Sequence, residues 1–425
     1  MNLEKICVLG LGYIGLPTAS TFASHAVKVI GVDVNPHVVQ SLQNGILHIY
    51  EPGLRTIVQA AVQSGNLVIK PQPEAADAFI IAVPTPFKDS KKADLAYVEA
   101  ATESIVPFLR PGNLVILEST SPPLTTINVV APILEKSGLK AGVDFKLAYS
   151  PERVLPGQIL RELIENARVI GGINQESAEA GRDLYRIFVR GDIILTDATT
   201  AEMVKLMENT TRDVNIALAN EFSRLADRFG VDVWEAIQIA NLHPRINILS
   251  PGPGVGGHCI SVDPWFLVEA APDITPLILS ARQVNDEQPT FVVDLLKRVL
   301  GKPLAESSIA ILGLAYKPNV DDMRESPAVE ITQHLIKAGA QVKAHDPFLP
   351  GKEIQGIQTT NTIEEAIQNV DVLVLLVAHQ QLKDLTAEKI KAANANVIVL
   401  DTVNAWTIES FNDTGIKLYK LGVGK

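Results

Sequence analysis

Hydrophobic and polar positions alternate over residues 1–198 in a pattern typical of a parallel α/β sheet. Short runs of valine, isoleucine and leucine end in turn-forming or polar residues, and segments with helical periodicity separate these runs. A helix between successive strands allows the strands to pair in parallel. We therefore predict a mostly parallel sheet whose clearest strands lie within residues 6–12, 27–34, 78–86, 113–120 and 145–152.

The pattern becomes continuously helical from Thr199. Residues 199–229 contain neither proline nor glycine, and Gly230 offers a stop signal. We predict one long helix there, followed by a second helical segment over residues 233–240. A helix of this length can connect domains and carry a dimer interface. Burial of the helix within a single domain is the alternative.

A second α/β pattern begins at Ser308. The stretch IAILGLAYKP, residues 309–318, repeats the strand–turn–helix pattern of ICVLGLGYIG, residues 6–15, and in each case an aspartate lies near the end of the next strand. The sequence therefore predicts an α/β fold with two Rossmann-like doubly wound domains joined by a helical domain with a long central helix. We expect the three domains to occupy residues 1–198, 199–300 and 301–425.

Composition narrows the class of protein. The chain is 47% hydrophobic and 20% charged, so it can bury substantial cores. Its formal net charge of -11 argues against nucleic acid or an anionic membrane as the main partner. The two cysteines, Cys7 and Cys259, are too few for a disulfide framework or a metal cluster. The N-terminus has no signal-peptide pattern, and apolar runs such as residues 372–377 are too short to span a bilayer, so we expect a cytoplasmic protein.

The motif GLGYIG at residues 10–15 has the GxGxxG spacing of a dinucleotide-binding turn. In such a turn Gly10 permits the tight bend, Gly12 lets the backbone approach a pyrophosphate, and Gly15 allows close packing of the following helix. Asp33 ends the next strand, where a carboxylate can bind the ribose hydroxyls, and no basic residue follows it to bind a 2′-phosphate. We therefore expect NAD rather than NADP. A glycine-rich turn without a cofactor is the alternative.

Two threonines come just after later strands of the same predicted sheet, Thr85 in VPTP and Thr120 in EST. The carboxyl ends of parallel strands face the ligand crevice in this fold, so both side chains are candidate cofactor contacts. Either threonine alone could instead cap a helix or turn.

The glycine-rich loop GPGVGGHCISVDPWF, residues 252–266, carries a candidate nucleophile. A cysteine beside a nicotinamide can capture an aldehyde as a thiohemiacetal, which loses a second hydride to become a thioester. Cys259 has His258 next to it and Asp263 four residues later, and a carboxylate can manage the protons of such a reaction. The alternative is a small buried hydrophobic residue, which is the better interpretation for Cys7 in the strand ICVLG.

Three polar residues of the long helix, Lys205, Asn209 and Arg212, share one helical face. The neighbouring sequence is largely apolar, so this stripe is a candidate cleft lining, although a solvated surface stripe has the same spacing. Arg245 and Lys317 add positive charge in loops, which suits a diphosphate substrate in an otherwise acidic protein.

These residues belong to a series of motifs along nearly the whole chain, and the series resembles the UDP-glucose/GDP-mannose dehydrogenase family. The motifs are, in order, GLGYIGLP, VDVNP, VPTP, EST, SPERVLPG, AEMVKLMENT, GVGGHCISVDP, GLAYKPNVDDMRESPA and VKAHDP. The resemblance implies NAD, a four-electron oxidation of a sugar C6 alcohol to a carboxylate, and a homodimer or higher oligomer formed through the central helix. It further implies a UDP-N-acetylhexosamine substrate, of which UDP-N-acetyl-D-mannosamine is the leading candidate. The product would serve the synthesis of surface polysaccharide.

The same resemblance implies roles for individual residues. For catalysis it implies Cys259 as nucleophile, Lys205 and Asp263 as the proton-handling and water-positioning pair, Asn209 at the oxyanion, and Glu152 as base for thioester hydrolysis. The implied cofactor contacts are Gly10, Gly12, Tyr13, Ile14, Gly15, Asp33, Thr85, Thr120 and Arg324. The implied substrate contacts are Arg153, Val154, Lys205, Asn209, Arg212, His243, Arg245, Gly256, Tyr316 and Lys317.

The chain departs from the family pattern at several positions. UDP-glucose enzymes usually carry tyrosine and lysine where this chain has His258 and Val262, and a second glutamate where it has Pro156. Val403 stands where many relatives have a basic residue, which puts one anchor of the nucleotide in doubt. Arg324 could also pair simply with Asp322.

Several alternatives therefore remain open. The substrate could instead be UDP-N-acetylglucosamine, UDP-N-acetylgalactosamine or UDP-glucose, because epimers differ only in the position of a few polar groups. A two-electron hydroxyacid dehydrogenase would have no role for Cys259. A non-catalytic nucleotide-sugar sensor would have no need of Cys259, Lys205 or Asp263.

Overall fold

The computed structural model describes residues 3–88, 91–257 and 259–424. The chain forms two compact units, and each of them consists of two segments of the sequence. The first unit contains Met1–Glu208 and Trp265–Pro272, and the second contains Asn209–Pro264 and Asp273–Lys425. The division into three domains at residues 198 and 300 stays a prediction.

The first unit is built on an eight-stranded sheet. Its strands are β1 (Lys5–Leu9), β2 (Lys28–Val32), β3 (Leu67–Lys70), β4 (Ala78–Ile81), β5 (Leu114–Leu117), β6 (Lys146–Tyr149), β7 (Arg168–Gly172) and β8 (Ile193–Asp197). Their order in the sheet is β3-β2-β1-β4-β5-β6-β7-β8. Neighbouring strands are parallel except for β6 and β7, which pair antiparallel, Tyr149 opposite Gly171. The five strands predicted from the sequence, β1, β2, β4, β5 and β6, are confirmed.

The helices of the first unit cover both faces of this sheet. They are α1 (Gly15–Ser24), α2 (Pro36–Gln43), α3 (Leu54–Gln63), α4 (Ala96–Ile105), α5 (Ala131–Leu134), α6 (Ile159–Glu165), α7 (Gln175–Tyr185) and the start of α8 (Ala198–Phe229). Side chains of β1 alternate between two hydrophobic cores, with Ile6 and Val8 in one and Cys7 and Leu9 in the other. This period of two is what burial on both faces of a strand requires.

The order of strands changes direction between β1 and β4, which is the topological switch point of the sheet. The Gly10 amide continues the ladder by donating to the Val32 carbonyl at 2.8 Å, and the Ala82 amide donates to the Leu9 carbonyl at 2.8 Å. The chain therefore leaves β1 and β4 side by side, and the glycine-rich motif lies at the place where this fold binds ligands.

The second unit contains a five-stranded parallel sheet and a small antiparallel hairpin. The strands are β9 (Ser308–Leu312), β10 (Gln341–His345), β11 (Glu353–Ile354), β12 (Ile357–Gln358), β13 (Val372–Leu375), β14 (Ile398–Asp401) and β15 (Leu418–Lys420). The sheet order is β10-β9-β13-β14-β15, and β11 pairs with β12. The second α/β pattern predicted from Ser308 is confirmed.

The helices of the second unit begin with the rest of α8. They continue with α9 (Val233–Ala240), the first two residues of α10 (Asp263–Ala270), α11 (Pro276–Leu300), α12 (Pro327–Lys337), α13 (Ile363–Ile367), α14 (Gln380–Lys383) and α15 (Ala387–Ala393). Both α8 and α10 contribute residues to the two units. The predicted long helix and the second helix over residues 233–240 are confirmed. Gly230, with φ of +69°, ends α8, and the Asp232 side chain caps α9 by accepting from the Trp234 amide at 2.9 Å.

The second glycine turn differs from the first in how its aspartate is enclosed. Gly313 has a φ of +85°, and the Asp346 carboxylate accepts from the Leu314 amide at 2.8 Å. His379 approaches the same carboxylate through Nε2 at 3.2 Å, while its Nδ1 accepts from the Asn319 amide, so Nε2 is the donor to Asp346. Asp346 is fully buried. In the second turn, donors from the protein itself therefore occupy the hydrogen-bonding positions of the Asp346 carboxylate.

Candidate active site

The three glycines of the first turn have three different surroundings. Gly10 has a φ of +90°, and a β-carbon there would lie 2.6 Å from the Ala82 carbonyl oxygen. A β-carbon on Gly15 would lie 1.8 Å from the Gly10 carbonyl oxygen, because α1 begins against the turn. A β-carbon on Gly12 would meet no atom within 4 Å. Gly10 and Gly15 are therefore required by the packing of the protein itself, whereas Gly12 leaves space that fits a pyrophosphate.

Asp33 is oriented at the end of β2 by two backbone amides. Its Oδ2 accepts from the Leu11 amide at 3.0 Å and its Oδ1 accepts from the Asn35 amide at 2.9 Å. The residue is only half-buried. Its carboxylate is thus fixed next to the glycine turn and still accessible, as a ribose contact must be.

Thr85 and Thr120, predicted as cofactor contacts, meet in the structure. The Thr85 hydroxyl donates to the Thr120 carbonyl oxygen at 2.6 Å, because the two residues follow the adjacent strands β4 and β5. Tyr13 packs against the core of the first unit, and Ile14 is the residue directly before α1. The glycine turn, Asp33 and the threonines lie after strands β1, β2, β4 and β5, and these residues fit NAD.

Glu152 is buried, and each of its carboxylate oxygens accepts a hydrogen bond. Its Oε2 accepts from Nη2 of Arg168, and its Oε1 accepts from the Arg153 amide at 2.7 Å. The same guanidinium donates from Nη1 to Glu118 at 3.1 Å and lies 3.9 Å from the centre of the Tyr185 ring. The candidate base is therefore one member of a buried charge cluster.

Burial raises the pKa of the Glu118 carboxyl to about 7, although the Arg168 cation lowers it. Burial alone would lower the pKa of the Arg168 guanidinium, but the negative charge of Glu152 raises it above its usual value. Burial also raises the pKa of Tyr185, so its hydroxyl stays protonated and donates to Glu118 at 2.8 Å. A proton is therefore readily held within this cluster near neutral pH.

Three further predicted residues lie in the first unit. Arg153 donates to Glu208, with 2.6 Å between Nη2 and Oε1, and to the Ala167 carbonyl at 2.8 Å. Val154 packs against the hydrophobic core. An apolar residue with no role in substrate binding would pack in the same way. Lys205 is buried on α8. The role of each in binding or catalysis stays a prediction.

In the second unit, Cys259 and Asp263 lie on one turn at the start of α10. The Cys259 carbonyl accepts from the Asp263 amide at 2.8 Å, and the Asp263 carboxylate accepts from the Asn209 side-chain amide. Asp263 and Asn209 are buried, whereas Cys259 is half-buried. The structure thus brings Asn209 and Asp263, two predicted members of the site, into direct contact, with Cys259 at the exposed end of the turn. His258 lies outside the described residues.

The loop before Cys259 is held at Gly252 by two buried side chains. Its amide donates to Asn220 Oδ1 at 2.9 Å, and its carbonyl accepts from Gln288 Nε2 at 3.1 Å. The Asn220 amide group in turn donates to Asn285 Oδ1 at 2.9 Å, and Asn285 donates to Asp213 Oδ1 at 2.8 Å. An aspartate carboxylate only accepts, so it fixes the direction of the whole chain of hydrogen bonds.

The glycines nearest Cys259 are packed against Tyr316. A β-carbon on Gly256 would lie 2.4 Å from the Glu325 carbonyl oxygen and 2.9 Å from the Tyr316 β-carbon. A β-carbon on Gly257 would lie 2.8 Å from the Tyr316 ring, and the Gly257 amide donates to the Arg324 carbonyl at 3.0 Å. These glycines are therefore needed for close backbone approach to the segment that precedes α12.

Arg324 pairs with Asp322 through Nε at 2.9 Å and Nη2 at 2.6 Å, which is the alternative arrangement considered for it. Lys317 lies with Nζ 5.7 Å from the centre of the Tyr316 ring. Val403 packs against the hydrophobic core of the second unit. The remaining predicted substrate contacts are exposed on the second unit: Arg212, His243 and Arg245.

Cys7 behaves as predicted for a buried hydrophobic residue. It has no exposed surface, and burial raises the pKa of its thiol to about 12. A thiol of this kind is inert as a nucleophile at neutral pH.

Sequence reasoning missed Glu118, Arg168, Asn220 and Gln288. One signal was available, since Arg168 is a charged residue opening the otherwise apolar strand RVIGG. Glu118 directly precedes Ser119 and Thr120 in the motif EST, but nothing in its spacing pairs it with Arg168. The two amides carry no sequence signal that distinguishes them from other polar residues of long helices.

Across residues 3–88, 91–257 and 259–424, none of the helices combines the length and apolar character needed to cross a membrane. The same residues contain no group of three or more histidine, cysteine, aspartate or glutamate side chains arranged to hold a metal ion.

Comparison with known proteins places these features in a family. Three models of the UDP-glucose/GDP-mannose dehydrogenase family match the chain in order: the NAD binding domain at residues 4–189, the central domain at 199–287 and the UDP binding domain at 310–408. These segments follow the order of the features described above, from the glycine turn of the first unit to the second α/β sheet.

Relatives match the chain over its full length. A UDP-N-acetyl-D-mannosamine dehydrogenase of Methanocaldococcus jannaschii is 49% identical, covering 99% of this chain and 97% of that protein. An NDP-N-acetyl-D-galactosaminuronic acid dehydrogenase of Ralstonia nicotianae is also 49% identical, covering 96% and 97%. A solved UDP-D-ManNAc dehydrogenase from Pyrococcus horikoshii has a TM-score of 0.92 at 41% identity, covering 99% of each chain. The chain therefore belongs to the UDP-glucose/GDP-mannose dehydrogenase family and is an NAD-dependent UDP-sugar dehydrogenase.

Proposed function

We propose that the chain oxidises C6 of UDP-N-acetyl-D-mannosamine from the alcohol to the carboxylate, with Cys259 as the covalent nucleophile. The names of full-length relatives at 46–49% identity support the manno sugar. A relative of equal identity is named for a galactosaminuronic acid, so the epimers are the direct rivals. Discrimination between them rests on where a few polar groups meet the sugar.

The observation that carries the covalent mechanism is the turn that holds Cys259 and Asp263. The thiol lies half-buried before the N-terminus of α10, and positive helix ends favour a thiolate. The buried Asn209 side chain orients the Asp263 carboxylate. A half-buried cysteine on the same turn as an oriented carboxylate fits a nucleophile with proton handling nearby.

The steps follow from this assignment. NAD supplies the hydride acceptor for both oxidations, held by the glycine turn and Asp33. The Cys259 thiolate adds to the C6 aldehyde produced by the first oxidation, forming a thiohemiacetal, and the second oxidation converts it to a thioester. Water then breaks the carbon–sulfur bond, releasing the acid and the thiolate. In this proposal Lys205 and Asp263 handle protons, Asn209 donates to the oxyanion, and Glu152 activates the water.

Counting NADH against sugar tests the overall reaction. Purified protein is given limiting amounts of each UDP-N-acetylhexosamine and UDP-glucose with excess NAD, and the absorbance of NADH is followed to completion. We expect two NADH for each UDP-N-acetyl-D-mannosamine and the highest kcat/KM for that sugar. One NADH per sugar would contradict the covalent four-electron mechanism, and equal kcat/KM for another epimer would contradict the substrate assignment.

Replacing the nucleophile tests its role directly. For Cys259→Ser we expect acid formation to fall by about three orders of magnitude or more, because a serine hydroxyl is a far weaker trap for the aldehyde. NAD affinity is expected to be unchanged. Cys7→Ser is the matched control for loss of a thiol. Because this variant keeps Cys259, it should still form the acid. Acid production near the wild-type rate by the Cys259 variant would contradict the mechanism.

A homodimer through α8 is part of the proposal. Leu218, Leu225 and Phe229 are exposed on this helix with spacings of seven and four residues, which places them on one side. Exposed large apolar side chains at helical spacing support an association surface.

A further inference from the structure

Two buried carboxyl groups share one guanidinium at the edge of the first unit's sheet. Nη1 of Arg168 donates to Glu118 Oε1 at 3.1 Å, and Nη2 of the same side chain donates to Glu152 Oε2. All three side chains are at least nine-tenths buried. With both carboxyls ionised, the cluster carries one uncompensated negative charge, which is costly away from water. Such a cluster favours uptake of a single proton.

The single antiparallel pair of the sheet creates this arrangement. Glu118 directly follows β5, and Glu152 lies just after β6, so both carboxyls are at the carboxyl edge of the parallel strands. Arg168 opens β7, which runs in the opposite direction to β6. Only this reversal brings the first residue of β7 to the same edge as the two glutamates.

The two carboxyls differ in access. Glu152 and Arg168 line a small cleft together with Arg153 and Asn166, whereas Glu118 lies behind them with no exposed side-chain surface. A proton can thus reach Glu152 from the cleft, while Glu118 acts on Glu152 through the shared guanidinium and through repulsion between the two negative charges.

The groups that face Glu118 come from every neighbouring element. The charged and titratable ones are Arg168 of β7, Glu152 and the Tyr185 hydroxyl of α7. Thr18 of α1 approaches Glu118 at 3.5 Å, and the Ser150 hydroxyl accepts from Arg168 Nη1 at 3.0 Å. Apart from Arg168, these neighbours supply no positive charge.

We propose that Glu118 is a positioning residue for hydrolysis: by sharing Arg168 with Glu152, it keeps Glu152 able to accept the proton of the attacking water. The inference rests on the proposed function. A glutamate paired alone with Arg168 would be held as a stable carboxylate and would be a weak base. Competition from Glu118 for the same cation removes part of that stabilisation. Glu118 thereby places a second carboxyl on the cation that binds Glu152.

The proton balance of the step is simple. The water oxygen bonds to the thioester carbon, the carbon–sulfur bond breaks, and the Cys259 sulfur leaves as a thiolate. The water proton goes to Glu152, and Arg168 then pairs chiefly with Glu118. When Glu152 releases the proton to solvent, Glu118 and Glu152 again share Arg168.

The first test is Glu118→Gln, which keeps the side-chain shape and an acceptor for Tyr185. We expect kcat at neutral pH to fall roughly tenfold, because Glu152 becomes a weaker base, with KM for sugar and NAD unchanged. The acid limb of the kcat–pH profile should move to lower pH by about one unit. Intact-mass analysis after acid quench should show more thioester on Cys259 than in the wild type. An unmoved acid limb would overturn the inference.

Tyr185→Phe is the matched second variant, with the opposite expectation. It removes one hydrogen bond to ionised Glu118 and leaves both carboxyls and Arg168 in place, so proton uptake becomes easier and the acid limb should move to higher pH. A purely structural disturbance gives no reason for opposite shifts. Shifts of the same sign in the two variants would contradict the shared-proton arrangement.

A measurement without substrate separates this inference from the proposed function. Infrared spectra of wild-type protein, Glu118→Gln and Tyr185→Phe are recorded from pH 5 to pH 9, and the band of protonated carboxyl groups is followed. We expect a carboxyl titrating near neutral pH in the wild type that is lost in Glu118→Gln. If no UDP-sugar yields NADH, the proposed function fails while this titration still reports on the pair. If turnover is normal and the titration is absent, the inference alone fails.

Discussion

Substituting two glycines of the same motif is expected to have opposite consequences for folding and for NAD binding. A β-carbon on Gly12 meets no protein atom within 4 Å, and the residue does not have a left-handed φ, so alanine fits the folded chain. Gly12→Ala should therefore leave the free energy of unfolding unchanged or raise it by about 0.5 kcal/mol, because alanine restricts the unfolded chain. The methyl group would occupy the space through which a pyrophosphate approaches the backbone.

The size of the binding effect follows from losing that approach. Displacing the pyrophosphate from the backbone amides of the turn weakens charge-assisted hydrogen bonds of about 1.5–3 kcal/mol each, so NAD affinity should fall at least about tenfold. Gly15→Ala is the matched control. Its β-carbon would lie 1.8 Å from the Gly10 carbonyl oxygen, so the backbone must shift and the free energy of unfolding should fall by about 3 kcal/mol or more.

Thermal denaturation with and without NAD, combined with calorimetric NAD titration, separates the two effects. For Gly12→Ala we expect a wild-type melting temperature in the absence of NAD and a much smaller rise on adding it. For Gly15→Ala we expect a lower melting temperature without NAD. Wild-type NAD affinity in Gly12→Ala would refute the assignment of this space to the cofactor.

Two further substitutions probe the cofactor and the cysteine loop. Asp33→Asn keeps one acceptor oxygen for the Leu11 amide but removes the charge offered to the ribose, so NAD should bind about tenfold more weakly in a titration while folding is retained; unchanged affinity would argue against the ribose contact. Asn220→Ala leaves the Gly252 amide without its buried acceptor, so the free energy of unfolding should fall by about 1–3 kcal/mol. The rate at which iodoacetamide alkylates Cys259, measured by mass spectrometry, should also change. Asn215→Ala on the same helix is the control, since the Asn215 side chain donates to the Thr211 carbonyl of its own helix. Equal alkylation rates in both variants would show that the contact from Asn220 does not position the loop.

The sequence was sufficient to predict the elements whose causes are local. Strands such as β1 and β5 are short apolar runs, and α8 extends from the start of a helical pattern to Gly230 because nothing within it interrupts helix formation. The dinucleotide turn was predictable for the same reason, since Gly10, Gly12 and Gly15 act within six residues. The glycine-rich loop and the polar face of α8 identified Cys259, Asp263 and Asn209 as candidates, and the family resemblance implied a role for each of them. Asn209 and Asp263 are in contact in the structure.

The charge cluster was not predictable because it depends on the direction of one strand. A wholly parallel sheet would place Arg168 at the edge opposite to Glu118 and Glu152. Because β7 pairs antiparallel to β6, Arg168 lies at the same edge as the two glutamates. The hydrogen bonds from Asn220 and Gln288 to Gly252 likewise join residues 32 and 36 positions apart, so they follow from packing of α8 and α11 and not from a local pattern.

The enclosed Asp346 of the second glycine turn has a consequence for the order of events in turnover. Asp33 is accessible and Asp346 is sealed by His379 and backbone amides, so of these two turns one can serve a nicotinamide cofactor. The oxidation proposed above removes two hydrides, so NADH from the first hydride transfer would have to be exchanged for NAD before the second. A free aldehyde could diffuse away during that exchange. An aldehyde bound covalently to the Cys259 sulfur would stay in the site until the next NAD binds.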